Sequence, residues 1–84
     1  MRLPREISGE ELVQHLTKLG YKQTRQTGSH IRLTCISDKG EHHITVPQHK
    51  ILRIGTLNNI LSDIASYLKK EKGDLINELF GRKA

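Results

Sequence analysis

The sequence contains few of the residues that cross-link a small protein or anchor it in a membrane. It has one cysteine, Cys35, and no tryptophan. A single thiol excludes an internal disulfide and a zinc site made of thiolates alone. Because Cys35 alternates with Ile31 and Leu33, it is best interpreted as a small buried side chain. No apolar run is long enough to span a bilayer, and the N-terminus lacks the pattern of a signal peptide. We therefore expect a cytoplasmic protein without a membrane segment.

Aromatic and acidic residues are also scarce. The aromatic side chains are Tyr21, Tyr67 and Phe80, too few for a protein that reads RNA by stacking several bases on aromatic rings. The 14 Lys and Arg residues outnumber the 9 Asp and Glu residues, which gives a formal net charge of +5. An excess of positive charge in a small domain favours a polyanionic partner, with nucleic acid the first candidate.

The chain is predicted to form one domain over residues 1–84, with 81–84 as a flexible tail. Ser8 and Glu11 form a capping box that starts a helix. Pro47 is expected to end the last strand, because proline has no N–H to donate to the sheet. The predicted elements are, in order, a helix over 8–19, strands over 21–26, 30–36 and 42–46, a helix capped by Thr56 and a short helix capped by Asp74.

Apolar and polar residues alternate along the last two predicted strands, a pattern that predicts a β-hairpin. Period two places Ile31, Leu33, Cys35, Ile44 and Val46 on one face, and His30, Arg32, Thr34, His43 and Thr45 on the other. Only a register such as Leu33 opposite Ile44 keeps the apolar face continuous. Helices on that face alone make a two-layer α+β fold, a three-stranded antiparallel sheet in the order α-β-β-β-α with a short C-terminal helix.

One short motif, Gly28-Ser29-His30, lies immediately before the most β-prone run of the chain. Gly28 suits a turn that needs a positive φ, and the turn would deliver His30 to the start of a strand at the rim of the sheet. A histidine at such a position, beside a hydroxyl and cations, has the groups needed for acid–base chemistry at neutral pH.

Three motifs in this order resemble the HicA family of bacterial toxin–antitoxin systems, over roughly residues 6 to 65. They are Arg25-Gln26-x-Gly28-Ser29-His30, Ile44-Thr45-Val46-Pro47-x-His49-Lys50, and Gly55-Thr56-Leu57 at the start of an amphipathic helix. The resemblance implies a small mRNA interferase with a fold like a double-stranded-RNA-binding domain. It also implies that His30 is the catalytic histidine and that an antitoxin of the HicB type is the partner.

RNA carries its own nucleophile, because a base that removes the 2′-hydroxyl proton allows that oxygen to attack the adjacent phosphorus. We predict that His30 is this base, and that no cofactor is needed. The predicted phosphate contacts are Arg25, Ser29, Arg32 and Lys50, and the candidate acid partners are His43 and His49. His49 could instead hold the Pro47 turn by hydrogen bonding. No metal site is predicted, because His42 and His43 point to opposite faces of a strand.

Two functions of different classes remain open from the sequence. The first is an endoribonuclease toxin, monomeric when free, that cleaves mRNA and is neutralised by its antitoxin. The second is a non-catalytic RNA-binding module with the same fold. Loss of His30 separates them, since it should abolish cleavage in the first and matter little in the second. A third hypothesis is a domain that binds only other proteins. In that case we expect no salt-dependent affinity for RNA.

Overall fold

A computed structural model of the protein describes residues 3, 4 and 6–81, so most of the predicted tail, 82–84, lies outside the described residues. The elements are α1 (Gly9–Thr17), β1 (Lys22–Thr27), β2 (His30–Ser37), β3 (Gly40–Pro47), α2 (Ile54–Leu68) and α3 (Lys72–Phe80). The strands form one antiparallel sheet in the order β1-β2-β3. The α+β fold is confirmed, and its element order is consistent with a fold like a double-stranded-RNA-binding domain.

The register of the β2–β3 hairpin is one of those that keep the apolar face continuous, and it is the example given by the sequence pattern. Leu33 lies opposite Ile44, and Ile31 lies opposite Val46. All four side chains are buried, because the helices cover this face of the sheet. The largest fully buried side chains of the core are Tyr21, Leu12, Leu16, Leu33, Leu52, Leu57, Leu61, Ile64, Leu75 and Val46.

The opposite, open face has one covered position that the alternation did not predict. Thr34 lies on this face but is buried. A bulge in β1 places Thr24 beside it, and the two hydroxyls lie 3.1 Å apart. All six residues of β1 are exposed, as expected for a polar edge strand. The bulge therefore places polar side chains over the middle of the open face.

The helix boundaries partly differ from the predicted caps. The Ser8–Glu11 capping box is present at α1. Neither Thr56 nor Asp74 caps a helix: α2 begins two residues before Thr56, after an extended Arg53, and α3 begins after Glu71. At α2 the Leu57 N–H already bonds to the Arg53 carbonyl, so backbone pairing sets the start without a side-chain cap.

The C-terminal helix α3 completes the core. Leu75, Ile76 and Leu79 are buried against the rest of the domain, and Phe80 packs edge-to-face on the ring of His15. His15 on α1 is half-buried, although its position near the polar side of the predicted helix indicates a solvated surface residue. Within the described residues, no helix is long and apolar enough to cross a membrane.

Candidate nucleic-acid interface and catalytic rim

The turn between β1 and β2 presents His30 at one end of the sheet. Gly28 has a φ of +57°, the left-handed conformation that its sequence position predicts. His30 is the first residue of β2, between Thr27 on β1 and Pro47 on β3, and its side chain is exposed. We use the term His30 rim for this end of the open face.

Hydrogen bonds tie the His30 rim to the start of α1. The Gln48 N–H donates to the Ser29 carbonyl over 2.6 Å, and the Gly9 N–H donates to the His49 carbonyl over 2.9 Å. The Gln48 side chain also bonds to Glu10. Gly9 is required for this approach, because a Cβ at residue 9 would overlap the Pro47 carbonyl oxygen. The segment after β3 is thereby fixed beside the turn that carries Ser29.

Two arginines lie side by side on the open face. Arg25 and Arg32 are direct partners across β1 and β2, and both are exposed. Arg32 is two residues after His30 on the same strand, so about 7 Å separates their backbone positions. In the described part of the chain, neither arginine takes part in an ion pair. Like charges directly opposite each other oppose sheet pairing, so this pair suits an anion supplied from outside.

His43 lies farther along the open face and has its own partners. It is opposite Thr34, four residues from His30 along β2, which corresponds to roughly 13 Å. Its Nδ1 lies 2.9 Å from the Thr34 hydroxyl, and its Nε2 lies 3.0 Å from a Glu41 carboxylate oxygen. The structure therefore does not bring His43 to His30, although sequence reasoning grouped them.

His49 and Lys50 follow β3 at the same end of the sheet as His30, and both are exposed. It is the backbone carbonyl of His49 that anchors the loop, by accepting from Gly9. No side-chain hydrogen bond involves His49 among the residues that the structure describes. The loop after Pro47 is therefore held by this backbone contact and not by the His49 imidazole, which lies at the surface.

A second polar cluster, which sequence reasoning missed, lies on the helix side of the sheet. The Tyr21 hydroxyl lies 2.7 Å from Nδ1 of His42, and Nε2 of His42 lies 3.2 Å from Asp63. The His42 ring stacks on Tyr67 with centroids 4.5 Å apart. Burial raises the pKa of Tyr21 far above its usual value, helped by the charges of Cys35, Tyr67 and Asp63, so the folded protein holds this proton more tightly than the unfolded chain does.

The residues of the Tyr21–His42 cluster come from β3, α2 and the segment before β1. Their separation in sequence explains why no local motif signals them. Across residues 3, 4 and 6–81, no three His, Cys, Asp or Glu side chains are grouped closely enough to hold a metal ion.

The fold and the rim define a small α+β domain with an exposed histidine and an adjacent cationic pair at one end of an open sheet. Residues 9–65 match the family described as HicA toxin of bacterial toxin-antitoxin. Because this match covers more than half of the chain, the protein belongs to the HicA toxin family, whose partner in such systems is a HicB antitoxin. No curated protein and no solved structure matches the sequence.

Proposed function

We propose that this toxin is an endoribonuclease that cleaves mRNA without a metal ion, with His30 as the general base. The observation that carries the proposal is the exposed position of His30, the first residue of β2. Arg32 follows two residues later beside Arg25, and neither arginine has an ion-pair partner among the described residues. A base that acts on a polymer must be reachable from solvent, and the open face beside the turn meets that condition. Family membership supports the toxin class, and the site supports the chemistry.

The reaction is a transfer within the RNA itself. The imidazole removes the 2′-hydroxyl proton, the 2′-oxygen forms a bond to phosphorus, and the bond from phosphorus to the 5′-oxygen breaks. A proton delivered to that oxygen leaves a 2′,3′-cyclic phosphate and a 5′-hydroxyl end. Histidine is suited to this exchange, because one imidazole nitrogen can accept a proton and the protonated ring can donate one.

The cationic side chains near His30 would stabilise the negative charge of the transition state. Negative charge grows on the phosphate oxygens in the transition state, and guanidinium groups can stabilise it through paired N–H donors. We assign this role to Arg25 and Arg32, which carry no internal counter-charge in the described structure. Ser29 and Lys50, on either side of the rim, are assigned to neighbouring phosphates.

The proton donor for the leaving oxygen must also lie at the His30 rim. His43 is held by Thr34 and Glu41 roughly 13 Å along the sheet, so we assign it to RNA binding and not to proton transfer. His49 shares the end of the sheet with His30, and its ring makes no side-chain hydrogen bond within the described residues. We therefore propose His49 as the acid partner.

The test is cleavage of a structured mRNA by the purified protein in EDTA, with product ends identified by mass spectrometry. A copy of the substrate with 2′-deoxyribose at the cleaved position is the matched control, because it keeps every phosphate and loses only the nucleophile. The proposal predicts cyclic-phosphate products from RNA and none from the deoxy copy. Activity that disappears in EDTA and returns with magnesium would contradict it.

The same cationic pair would also serve a non-catalytic RNA-binding module, so the second function predicted from the sequence remains testable on the same site. In that case the protein would bind the mRNA and the deoxy copy with similar affinity and cleave neither. Cleavage, and not binding, is therefore the readout that separates the two functions.

Control of the toxin is proposed to come from its antitoxin. A HicB-type partner that covers the His30 rim would exclude RNA directly. Acidic side chains on that partner would also offset the positive field, which the net charge of +5 creates around the protein. The free toxin is proposed to be a monomer.

A further inference from the structure

Two exposed isoleucines lie beside the His30 rim and have no role in the chemistry. The well-exposed large hydrophobic side chains in the described residues are Ile36, Ile51 and Ile54, at 77%, 57% and 51% exposure. Ile51 and Ile54 are three residues apart, on either side of the buried Leu52 and at the start of α2. Single exposed apolar residues are ordinary on protein surfaces, whereas a close pair next to a functional site indicates a contact surface.

The direction of α2 places these isoleucines at the His30 end of the domain. Near its C-terminus, the Tyr67 hydroxyl donates to the Gly40 carbonyl at the start of β3. One turn earlier on α2, Asp63 lies 3.2 Å from His42, which is two residues further along β3. The helix therefore runs antiparallel to β3, and its first residue, Ile54, lies towards the end of β3 at Pro47, opposite His30. Ile51 is only four residues after Pro47, a chain length of about 14 Å at most.

The surroundings of the isoleucine pair are positively charged. Lys50 and Arg53 adjoin Ile51 and Ile54 in sequence and are exposed. Neither takes part in an ion pair within the described part of the chain, and the first turn of α2 contains no acidic side chain. A partner that fits this surface would combine aliphatic side chains with carboxylates.

We propose that Ile51 and Ile54, flanked by Lys50 and Arg53, form a second contact area for the antitoxin, which binds there through an apolar and acidic segment. This inference rests on the proposed antitoxin control of the His30 rim. A protein interface of ordinary size covers about 800 Å² on each partner, or roughly 30 Å across, which is enough to span both the rim and the isoleucines.

Two other occupants fit the surface less well. RNA is recognised through phosphate contacts, hydrogen bonds and stacking on planar groups, and aliphatic isoleucines offer none of these. A second copy of the chain in a twofold dimer would set Lys50 and Arg53 against the same cations of the other copy, in a protein whose net charge is already +5. An acidic protein partner satisfies both the apolar and the charged parts.

The test uses the full chain with Ile51→Ser and Ile54→Ser together, and Ile36→Ser as the matched control, at the other end of β2 from His30. Affinity for the purified HicB-type antitoxin is measured in parallel with RNA binding, RNA cleavage and oligomeric state of the free proteins. The double variant should bind the antitoxin about 30-fold more weakly, from the loss of two partly exposed apolar side chains at the interface. Ile36→Ser should change that affinity by less than about twofold. Both variants should cleave RNA at the wild-type rate.

The outcomes separate this inference from the proposed function. Unchanged antitoxin affinity in the double variant overturns the inference, whether or not the protein cleaves RNA. Weaker RNA binding with normal antitoxin binding assigns the surface to RNA and also overturns it. A wild-type dimer that the double variant abolishes assigns it to self-association. A further variant, Arg53→Glu, should slow antitoxin association at low salt without changing the fold, and an unchanged rate contradicts the acidic character of the partner.

Discussion

At the scale of single residues, the Arg25–Arg32 pair is unfavourable for sheet pairing in the free protein, because it places two like charges opposite each other. The two cations are direct cross-strand neighbours, and no carboxylate among the described residues pairs with either. Such an arrangement weakens strand pairing slightly, and it becomes favourable only when an anion lies between the side chains. The pair is therefore expected to stabilise the complex with RNA and to lower the folding stability of the free protein slightly.

We predict that Arg32→Gln changes stability and RNA affinity in opposite directions. The free protein should gain about 0.5 kcal/mol, because a like-charge contact is removed. RNA affinity should fall, and the slope of log affinity against log salt should become shallower by about 0.7. Lys39→Gln, which removes an equal charge from the β2–β3 turn, should leave RNA affinity near the wild-type value. Equal RNA affinities for the two variants would contradict the assignment.

Tyr21 gives a second prediction at this scale, through its contact with His42. Burial raises the pKa of the Tyr21 hydroxyl above the unfolded value of 10.0, so the folded state holds this proton more tightly. Its contribution to stability is complete below about pH 10 and is lost as the pH rises beyond that value, since the unfolded chain ionises first. Tyr21→Phe should unfold more easily at pH 7 by about 1 kcal/mol.

Denaturant unfolding between about pH 8 and pH 11 measures this effect. The wild type should lose stability across the upper part of that range, and Tyr21→Phe should show a smaller loss. Ile36→Ser, which changes an exposed side chain outside this cluster and removes no titrating group, serves as the control and should retain the wild-type decline. Identical pH profiles for the wild type and Tyr21→Phe would show that the Tyr21 proton does not contribute.

At the scale of elements, α3 has a structural role that the family match does not cover. The match ends at residue 65, within α2, whereas α3 supplies the fully buried Leu75 to the core. Leu75→Ala should lower the free energy of unfolding by about 2–5 kcal/mol, because it removes buried methyl groups and leaves a cavity. Glu78→Ala, also on α3, breaks only a surface pair with Lys70 and should cost less than about 1 kcal/mol.

Thermal unfolding followed by circular dichroism compares these two variants directly. A Leu75→Ala protein that melts together with Glu78→Ala would show that α3 is dispensable for the fold. The C-terminal extension would then be available for partner binding. The expected result is a melting temperature lower by about 10 °C or more for Leu75→Ala alone.

The elements that were predicted correctly are those determined by local patterns. The capping box at Ser8 and the period-two alternation of β2 and β3 each depend on residues close in sequence, and the structure confirms them. The start of α2 was misplaced, because it depends on how the preceding loop is anchored and not on a capping side chain. There the Leu52 N–H donates to the Ile7 carbonyl, a contact across 45 residues that local sequence does not reveal.

The features of the candidate site also fall into two groups, those that local sequence predicts and those that depend on contacts between distant segments. Gly28 and His30 could be placed from sequence, because a turn residue directly before a strand determines where the histidine lies. The distance between His30 and His43 could not be predicted, because the alternation of apolar residues allows several registers and each places His43 at a different point along β2. The burial of Thr34 and the Tyr21–His42 contact arise from a bulge and from packing between distant segments, which periodicity does not encode.

At the scale of the whole molecule, charge connects substrate binding with control. The protein has a net charge of +5, and an acidic antitoxin would approach the same positive field that we propose attracts RNA. We predict that antitoxin association slows at least about tenfold when salt rises from about 50 mM to about 500 mM, because steering is screened. Stopped-flow association measures this rate. A rate independent of salt, or a complex in which His30 remains open to solvent, would contradict control by electrostatic occlusion.

The most direct test of the account is the rate at which His30→Ala cleaves RNA, compared with the wild type and with Thr27→Ala, the exposed neighbour opposite His30. The account predicts that cleavage by His30→Ala falls at least about 100-fold, as expected when a general base is removed. RNA affinity and melting temperature should stay close to wild type, because the ring lies outside the core. Thr27→Ala should remain active. Cleavage by His30→Ala at the wild-type rate would contradict the assignment of His30 as the catalytic base.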